Sequence, residues 1–193
     1  MNIIDLTSES FNAAKGGIEE YEQVHPALFS HYFQFWADKG KFTNNSFNKA
    51  DLSIKKKLVS ENLKSVKNLL SNNFDTNNIS VILFVGQNTS NGHAFRHKDE
   101  IIIWIPIETY NTDLQAQIFL THEILHGIHY ASSPDFLFST SQERMHPGRQ
   151  LITEGIATRI LLWFYKTLMN KQRSGLTISV NIKSTIGMTT AGM

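Results

Sequence analysis

The chain has 193 residues, no cysteine and a formal net charge of +1 at pH 7, and 41% of its residues are hydrophobic. This length suits one folded domain with a sizeable core, and the composition is that of a soluble globular protein. The near-zero net charge excludes a strong electrostatic attraction to nucleic acid. The lack of cysteine excludes disulfides, thiolate metal sites and a cysteine nucleophile, so histidine and carboxylate remain as metal ligands.

The start of the chain does not have the pattern of a secretory signal. Residues 1–6 have no basic region and no long apolar run. The longest apolar runs, near residues 101–107 and 160–165, are too short to cross a bilayer. We therefore expect a cytoplasmic protein with no membrane span, although export without a cleaved signal is also compatible with the sequence.

Residues 1–75 predict a mainly helical N-terminal part. A short helix is expected within residues 1–24, and Pro26 suits the first turn of a second helix. A third, longer helix is expected to be capped by Asp51 and to end near Asn72, with an apolar stripe on one side and lysines on the other. We interpret the lysine face as solvated rather than as a nucleic-acid site.

Two short apolar segments in the middle of the chain predict β-strands. Residues 79–85 are mostly β-branched or aliphatic and end at a glycine, which indicates a buried strand. Residues 86–99 are expected to be a polar loop, and residues 100–108 to be a second strand. Pro106 cannot donate a hydrogen bond to a neighbouring strand, so this strand either lies at a sheet edge or ends at the proline.

The next segment predicts an amphipathic helix that carries the pattern H-E-x-x-H. Thr112 and Gln115 form a capping box at its start. His122 and His126 are one helical turn apart on the same face, so both imidazoles can point to one tetrahedral zinc. Glu123 lies beside that face, where a carboxylate suits a general base for water activated by the metal. A helix with two ordinary surface histidines is the alternative interpretation.

A catalytic zinc needs a third protein ligand and one open position. A third histidine six residues after His126 is absent, because position 132 is Ser. The helix predicted after His146 carries Glu154 on its inner, apolar face. A carboxylate on such a face needs a charge partner, which would be either the zinc or a neighbouring arginine, Arg149 or Arg159.

H-E-x-x-H on one helix, followed on the next by Glu154 at the start of an E-G-x-A sequence, resembles the gluzincin metallopeptidases. Residues 79–157 most resemble a bacterial family of predicted zinc-dependent proteases. The resemblance implies an α+β, zincin-like fold: a helical N-terminal part, a small sheet with an edge strand, a motif helix and a Glu helix. It also implies one Zn²⁺ per chain, held by His122, His126 and Glu154, with Glu123 as the base.

The expected organisation is a single zincin-like metallopeptidase domain over residues 1–193. Its helical part covers residues 1–75 and its catalytic core residues 76–175. Residues 176–193 are expected to form a short strand and a tail, because apolar and polar residues alternate after Gly175.

The resemblance also implies a peptide-binding strand. In gluzincins a substrate peptide lies along the edge strand by backbone pairing, which here implies residues 101–107. The central residues of that strand, Ile103, Trp104 and Ile105, are therefore candidate substrate-binding residues.

The group that would stabilise the oxyanion is not defined by the motif. Tyr165 is three turns beyond Glu154 and is expected to be a packing residue. His93, in the predicted loop, and His146, at the head of the Glu helix, are the candidate catalytic histidines. His129 is a candidate for a hydrogen bond that supports a metal ligand.

Zinc-dependent hydrolysis of a peptide or protein substrate is the predicted function, with no nucleic acid as a partner. The alternative is a non-catalytic zincin-like scaffold that binds a peptide or a protein. A helical interaction module in which the histidines are incidental is a third possibility. The oligomeric state does not follow from the sequence.

Overall fold

The structure is a computed structural model that describes residues 1–35, 47–86, 91–133 and 146–174. Its described part is α+β, with six α-helices and a four-stranded mixed sheet. The strands are β1 (Asn2–Asp5), β2 (Ile79–Phe84), β3 (His93–His97) and β4 (Glu100–Pro106). The helices are α1 (Thr7–Gly16), α2 (Ile18–Val24), α3 (Pro26–Phe35), α4 (Lys49–Ser71), α5 (Asp113–Ser132) and α6 (Pro147–Ser174), and a 3-10 turn spans Ile107–Thr109.

The strand order in the sheet is β1-β2-β4-β3. β1, β2 and β4 are parallel, whereas β3 runs antiparallel to β4. The register places Ile3 opposite Val81, Val81 opposite Ile103, and Ile103 opposite Ala94, so these four residues form one row across the sheet. Within the described residues, β1 and β3 are therefore the two edge strands.

The two central strands are apolar because helices cover both faces of the sheet. Every residue of β2 is buried, and every residue of β4 except Glu100 is buried. A strand that is buried on both faces has a nearly continuous apolar sequence rather than an alternating one. This explains why both strands could be predicted from the sequence.

Each face of the sheet has its own core. One face packs against α4, α5 and α6, in a cluster that includes Val59, Leu63, Val81, Leu83, Ile101, Ile103, Ile105, Ile124, Ile128, Ala157 and Leu161. The other face packs against α2 and α3, in an aromatic-rich cluster that includes Tyr21, Leu28, Phe29, Tyr32, Phe33, Ile82, Phe84, Phe95, Ile102 and Trp104. The candidate metal ligands all lie on helices of the first face.

The predicted edge strand is wrong. β4 pairs with β2 on one side and β3 on the other, so residues 101–106 lie inside the sheet. Ile103, Trp104 and Ile105 are fully buried and cannot pair with a substrate backbone. Pro106 is the last residue of β4, which is the other position that a proline permits.

Two further strands were not predicted. Residues 2–5 form β1 and pair with β2, so the N-terminal part is not purely helical but contributes an edge of the sheet. Residues 93–97 form the edge strand β3 within the segment that was expected to be a polar loop. Both are only four or five residues long, and at this length a strand is defined by its partner more than by its own composition.

Helices are present where they were predicted, with changes at their ends, although residues 7–24 form two helices, α1 and α2, and not the single short one expected. Thr112 caps α5 and its side chain accepts a hydrogen bond from the Gln115 amide at 3.2 Å. Asn48, not Asp51, caps α4 by accepting from the Ala50 amide at 2.9 Å. The strand and tail expected at residues 176–193 lie outside the described residues. No helix in the described part combines the length and apolar content that a membrane crossing needs.

Gly127 allows α5 to pack closely on the sheet. A Cβ atom at this position would lie 2.8 Å from Cδ1 of Ile103 and 3.3 Å from Cγ2 of Ile101. Gly127 is one residue after His126, so this close approach sets the depth at which the motif helix lies on β4. Gly155 on α6 is different, because a Cβ there would meet no atom within 4 Å.

Alanine at these two glycines should have different effects on stability. Both substitutions gain about 1 kcal/mol of helix propensity, but overpacking against Ile103 costs about 1–3 kcal/mol only at position 127. We expect Gly155→Ala to raise the free energy of unfolding and Gly127→Ala to leave it unchanged or lower it. Urea denaturation measures both. Equal stabilisation by the two variants would contradict the close packing of α5 on β4.

Candidate metal centre

Two helices bring three metal-ligating side chains together. His122 and His126 are one turn apart on α5, and their Nε2 atoms are 2.9 Å from each other. Glu154 reaches across from α6, with Oε2 at 3.0 Å from Nε2 of His122 and Oε1 at 3.4 Å from Nε2 of His126. In the described part of the chain, this is the one group of three such side chains close enough to hold a metal ion.

The packing of α6 on α5 produces this arrangement. Ala157, one turn after Glu154, is buried in the same core cluster as Leu120 and Ile124 of α5. A small residue at a helix contact lets two helix axes come close together. Leu161 buries the next turn of α6 in that cluster. The carboxylate is thereby held beside the histidines by apolar contacts that are independent of a metal.

The ionisable groups of the cluster stabilise one another's charged forms. Hydrogen bonds with His122 and His126 hold the pKa of Glu154 well below its usual range. Burial disfavours the charged imidazole of His122, but the hydrogen bond with Glu154 and the charges of Glu123 and Glu154 outweigh this effect and raise its pKa. Glu154 is therefore an ionised carboxylate paired with histidine, and not with Arg149 or Arg159 among the described residues.

The donor set fits Zn²⁺. Imidazole nitrogen and carboxylate oxygen are its common ligands, and tetrahedral ligands at about 2.0–2.1 Å from zinc are separated by roughly 3.3 Å. The two imidazole nitrogens are 2.9 Å apart, and each lies 3.0 or 3.4 Å from a different oxygen of the Glu154 carboxylate, so the separations are close to that value. The side chain of Glu154 is 51% exposed, compared with 6% for His126, so the cluster is open to solvent on the Glu154 side.

Glu123 lies next to the cluster without belonging to it. The residue is buried, and burial raises the pKa of its carboxyl group, although the nearby His126 and His122 act in the opposite direction. The backbone of Gly92 lies against its side chain: a Cβ at Gly92 would be 2.8 Å from Cγ of Glu123. The carboxyl group is thus held between the motif helix and the start of β3.

The predicted catalytic histidines lie in different environments. His93 is buried at the start of β3, where its ring lies against Trp104 and parallel to His31. Burial lowers the pKa of His93 to about 3, so its imidazole is neutral at neutral pH. The charges of His126 and Glu154 also affect this pKa, which places His93 within electrostatic range of the cluster.

His146 is not brought to the cluster. It is exposed and its carbonyl accepts the first hydrogen bonds of α6. Eight residues of helix, about 12 Å, separate it from Glu154. His129 is buried, its ring is near that of Tyr130, and burial lowers its pKa.

Tyr165 is a packing residue, as predicted. Its ring packs against the main core, and its hydroxyl lies close to Thr121 on α5. It therefore contributes to the contact between α5 and α6.

Neither the contact of Gly92 with Glu123 nor the strand β3 was predicted from the sequence. The signal for Gly92 was slight: a glycine beside a histidine in a polar stretch. Its φ of 147° is one that glycine adopts far more readily than other residues, but such an angle cannot be read from a single sequence. The contact with Glu123 joins residues 31 positions apart and depends on the antiparallel pairing of β3 with β4.

Comparison of the chain with known protein families, with curated proteins and with solved structures finds no match. The chemistry of the site therefore follows from its donor atoms, their separations and their burial.

Zinc binding should depend on all three donors. Wild-type protein is expected to bind one Zn²⁺ per chain, and His126→Ala and Glu154→Gln are each expected to weaken binding at least about tenfold, since each removes a ligand. Isothermal titration calorimetry in chelator-free buffer, with elemental analysis, gives affinity and stoichiometry. His146→Ala is the matched control and should bind like wild type. Unchanged affinity in Glu154→Gln would show that the third ligand is misassigned.

Proposed function

We propose that this chain is a zinc-dependent peptidase of the gluzincin type, with a zincin-like arrangement of its helices and sheet. The observation that carries the proposal is the convergence of His122, His126 and Glu154, with the carboxyl group of Glu123 beside them. Two imidazoles, a carboxylate on a second helix and an adjacent carboxyl group form the set of groups required for metal-assisted hydrolysis.

The three metal ligands share one task in this proposal, which is to hold the metal ion. His122, His126 and Glu154 would hold one Zn²⁺ and leave one side of it towards solvent, where Glu154 is half-exposed. Zinc supplies Lewis acidity, which polarises a carbonyl group and lowers the pKa of water. The apolar packing of α6 on α5 keeps the ligands in place, so little reorganisation is needed when the metal binds.

Glu123 is the proposed general base. Its carboxyl group is buried and its pKa is raised by that burial, which makes the carboxylate a better proton acceptor than an exposed one. It would accept a proton from the attacking water and deliver it to the leaving amine. Burial of Glu123 also strengthens electrostatic interactions at this position.

A peptide substrate would pair with β3. This strand pairs with β4 along one side, and no other strand of the described residues lies along its second side. An extended peptide can add to such an edge through backbone hydrogen bonds. The substrate-pairing role that was predicted for residues 101–107 is therefore assigned to residues 93–97, the strand next to Gly92 and Glu123.

A non-catalytic scaffold is the second candidate function. Within the described residues, the hydrogen bonds and ion pairs of Glu154 are all with His122 and His126. These contacts identify no side chain that would stabilise an oxyanion, which would have to reach the substrate carbonyl at the open side of the metal. This supports a zincin-like protein that binds a peptide or protein without cleaving it.

Removal of the base distinguishes the two functions. Glu123→Gln keeps the shape of the side chain but cannot accept a proton, so we expect kcat to fall by about 10²–10⁴-fold while zinc affinity stays near that of wild type. Hydrolysis of a quenched fluorescent peptide library by zinc-loaded protein measures the rate. Glu61→Gln, exposed on α4, is the control.

Full activity in zinc-loaded Glu123→Gln would overturn the proposed mechanism. Stoichiometric zinc in a wild-type protein that binds peptides from the library but cleaves none would favour the scaffold instead.

A further inference from the structure

The backbone of Gly92 lies against the side chain of the proposed base, Glu123. The φ of Gly92, 147°, is a conformation that side-chain-bearing residues rarely adopt. A Cβ at this position would meet Cγ of Glu123 at 2.8 Å and Cδ at 3.2 Å. Both the dihedral angle and the contact therefore require glycine, and the missing side chain leaves the space that Glu123 occupies.

A buried tyrosine holds this backbone in place. The hydroxyl of Tyr110, which follows the 3-10 turn after β4, donates a hydrogen bond to the carbonyl of Asn91. Tyr110 is fully buried, and burial followed by the charges of Glu123 and Glu108 raises the pKa of its hydroxyl. Tyr110 is therefore a neutral hydrogen-bond donor in the core, and it holds the backbone of the residue before Gly92 in place.

The backbone just after β2 is held in a similar way. The hydroxyl of Tyr21 donates to the carbonyl of Val85, and the hydroxyl of Tyr32 donates to the carbonyl of Gly86. The amide of Gly86 donates to the buried carboxylate of Glu108 at 2.8 Å. Together with Tyr110, these side chains fix the described backbone at both Gly86 and Asn91.

We propose that Gly92, anchored through Asn91 by Tyr110, is a positioning residue that fixes the carboxyl group of Glu123 beside the His122–His126–Glu154 cluster and shields it from water. The inference rests on the proposed function, because it assigns Glu123 the role of base. Gly92 has no part in holding the metal.

The physical consequence is that the side chain of Glu123 can adopt fewer conformations. Glutamate has three rotatable side-chain bonds, and a contact at Cγ and Cδ limits the rotamers that it can adopt. A displacement of about 1 Å in a reacting group can cost roughly 10²-fold in rate. Shielding by the Gly92 backbone also keeps the carboxyl group in a less polar environment than solvent would provide.

The test compares two glycines with positive φ. Gly92→Ala introduces both backbone strain and the contact with Glu123. Gly17→Ala introduces comparable strain at a φ of 118°, but its Cβ would meet no atom within 4 Å. Tyr110→Phe removes only the hydroxyl that anchors Asn91. If Gly92→Ala does not fold, this variant takes its place in the test.

We expect zinc-loaded Gly92→Ala to keep its zinc affinity within about threefold and its KM within a few-fold, while kcat falls roughly 10²-fold. Tyr110→Phe should lower kcat by roughly tenfold, and Gly17→Ala should leave it unchanged. Zinc affinity is measured by calorimetry and the rates on the cleaved library peptide. An unchanged kcat in both Gly92→Ala and Tyr110→Phe would overturn the inference.

A double-mutant cycle separates this inference from the proposed function, since it needs no activity. Gly92→Ala is expected to lower the folding equilibrium constant at least about fivefold more in wild type than in Glu123→Ala, where the contacted atoms are absent. Additive effects would overturn the inference. Strong coupling in a wild-type protein that cleaves no peptide would support the placement of Glu123 and overturn the peptidase proposal alone.

Discussion

The contact between α5 and α6 is the interaction on which the site depends. Two histidines one turn apart on a single helix supply two donors whenever that helix forms, but the third donor comes from Glu154, 28 residues after His126. Burial of Ala157 and Leu161 against α5 brings Glu154 within 3.0–3.4 Å of both imidazoles. Apolar packing thus sets the geometry of a polar site.

The sheet supplies the second constraint. α5 lies close to β4 because Gly127 presents no side chain towards Ile103. The same approach directs Glu123 towards the start of β3, where Gly92 covers it. The ligands and the proposed base therefore face different neighbours: His122 and His126 face a second helix, and Glu123 faces the sheet. This separation leaves the ionised Glu154 partly in solvent and the carboxyl group of Glu123 in a buried setting.

Local features of the site could be predicted from the sequence, because they depend on residues close together in the chain. The Thr112 cap, the helical spacing of the two histidines and the buried strand at residues 79–84 are all of this kind. The position of β4 could not be predicted, since strand order is set by partners far away in sequence. β1 and β3 are too short to have a pattern of their own, and the edge position was assigned to the wrong strand for that reason. Glu154 was proposed because an unpaired carboxylate on an apolar helix face is costly, but that face is not buried as expected: the Glu154 side chain is half-exposed and Leu151 is exposed.

The most direct measurement of the central claim is a crystal structure of the zinc-loaded protein, with anomalous scattering recorded above and below the zinc absorption edge. We expect one anomalous peak about 2.0–2.2 Å from Nε2 of His122, Nε2 of His126 and a carboxylate oxygen of Glu154. A peak held by other residues, or no peak between α5 and α6 at saturating zinc, would contradict the central claim.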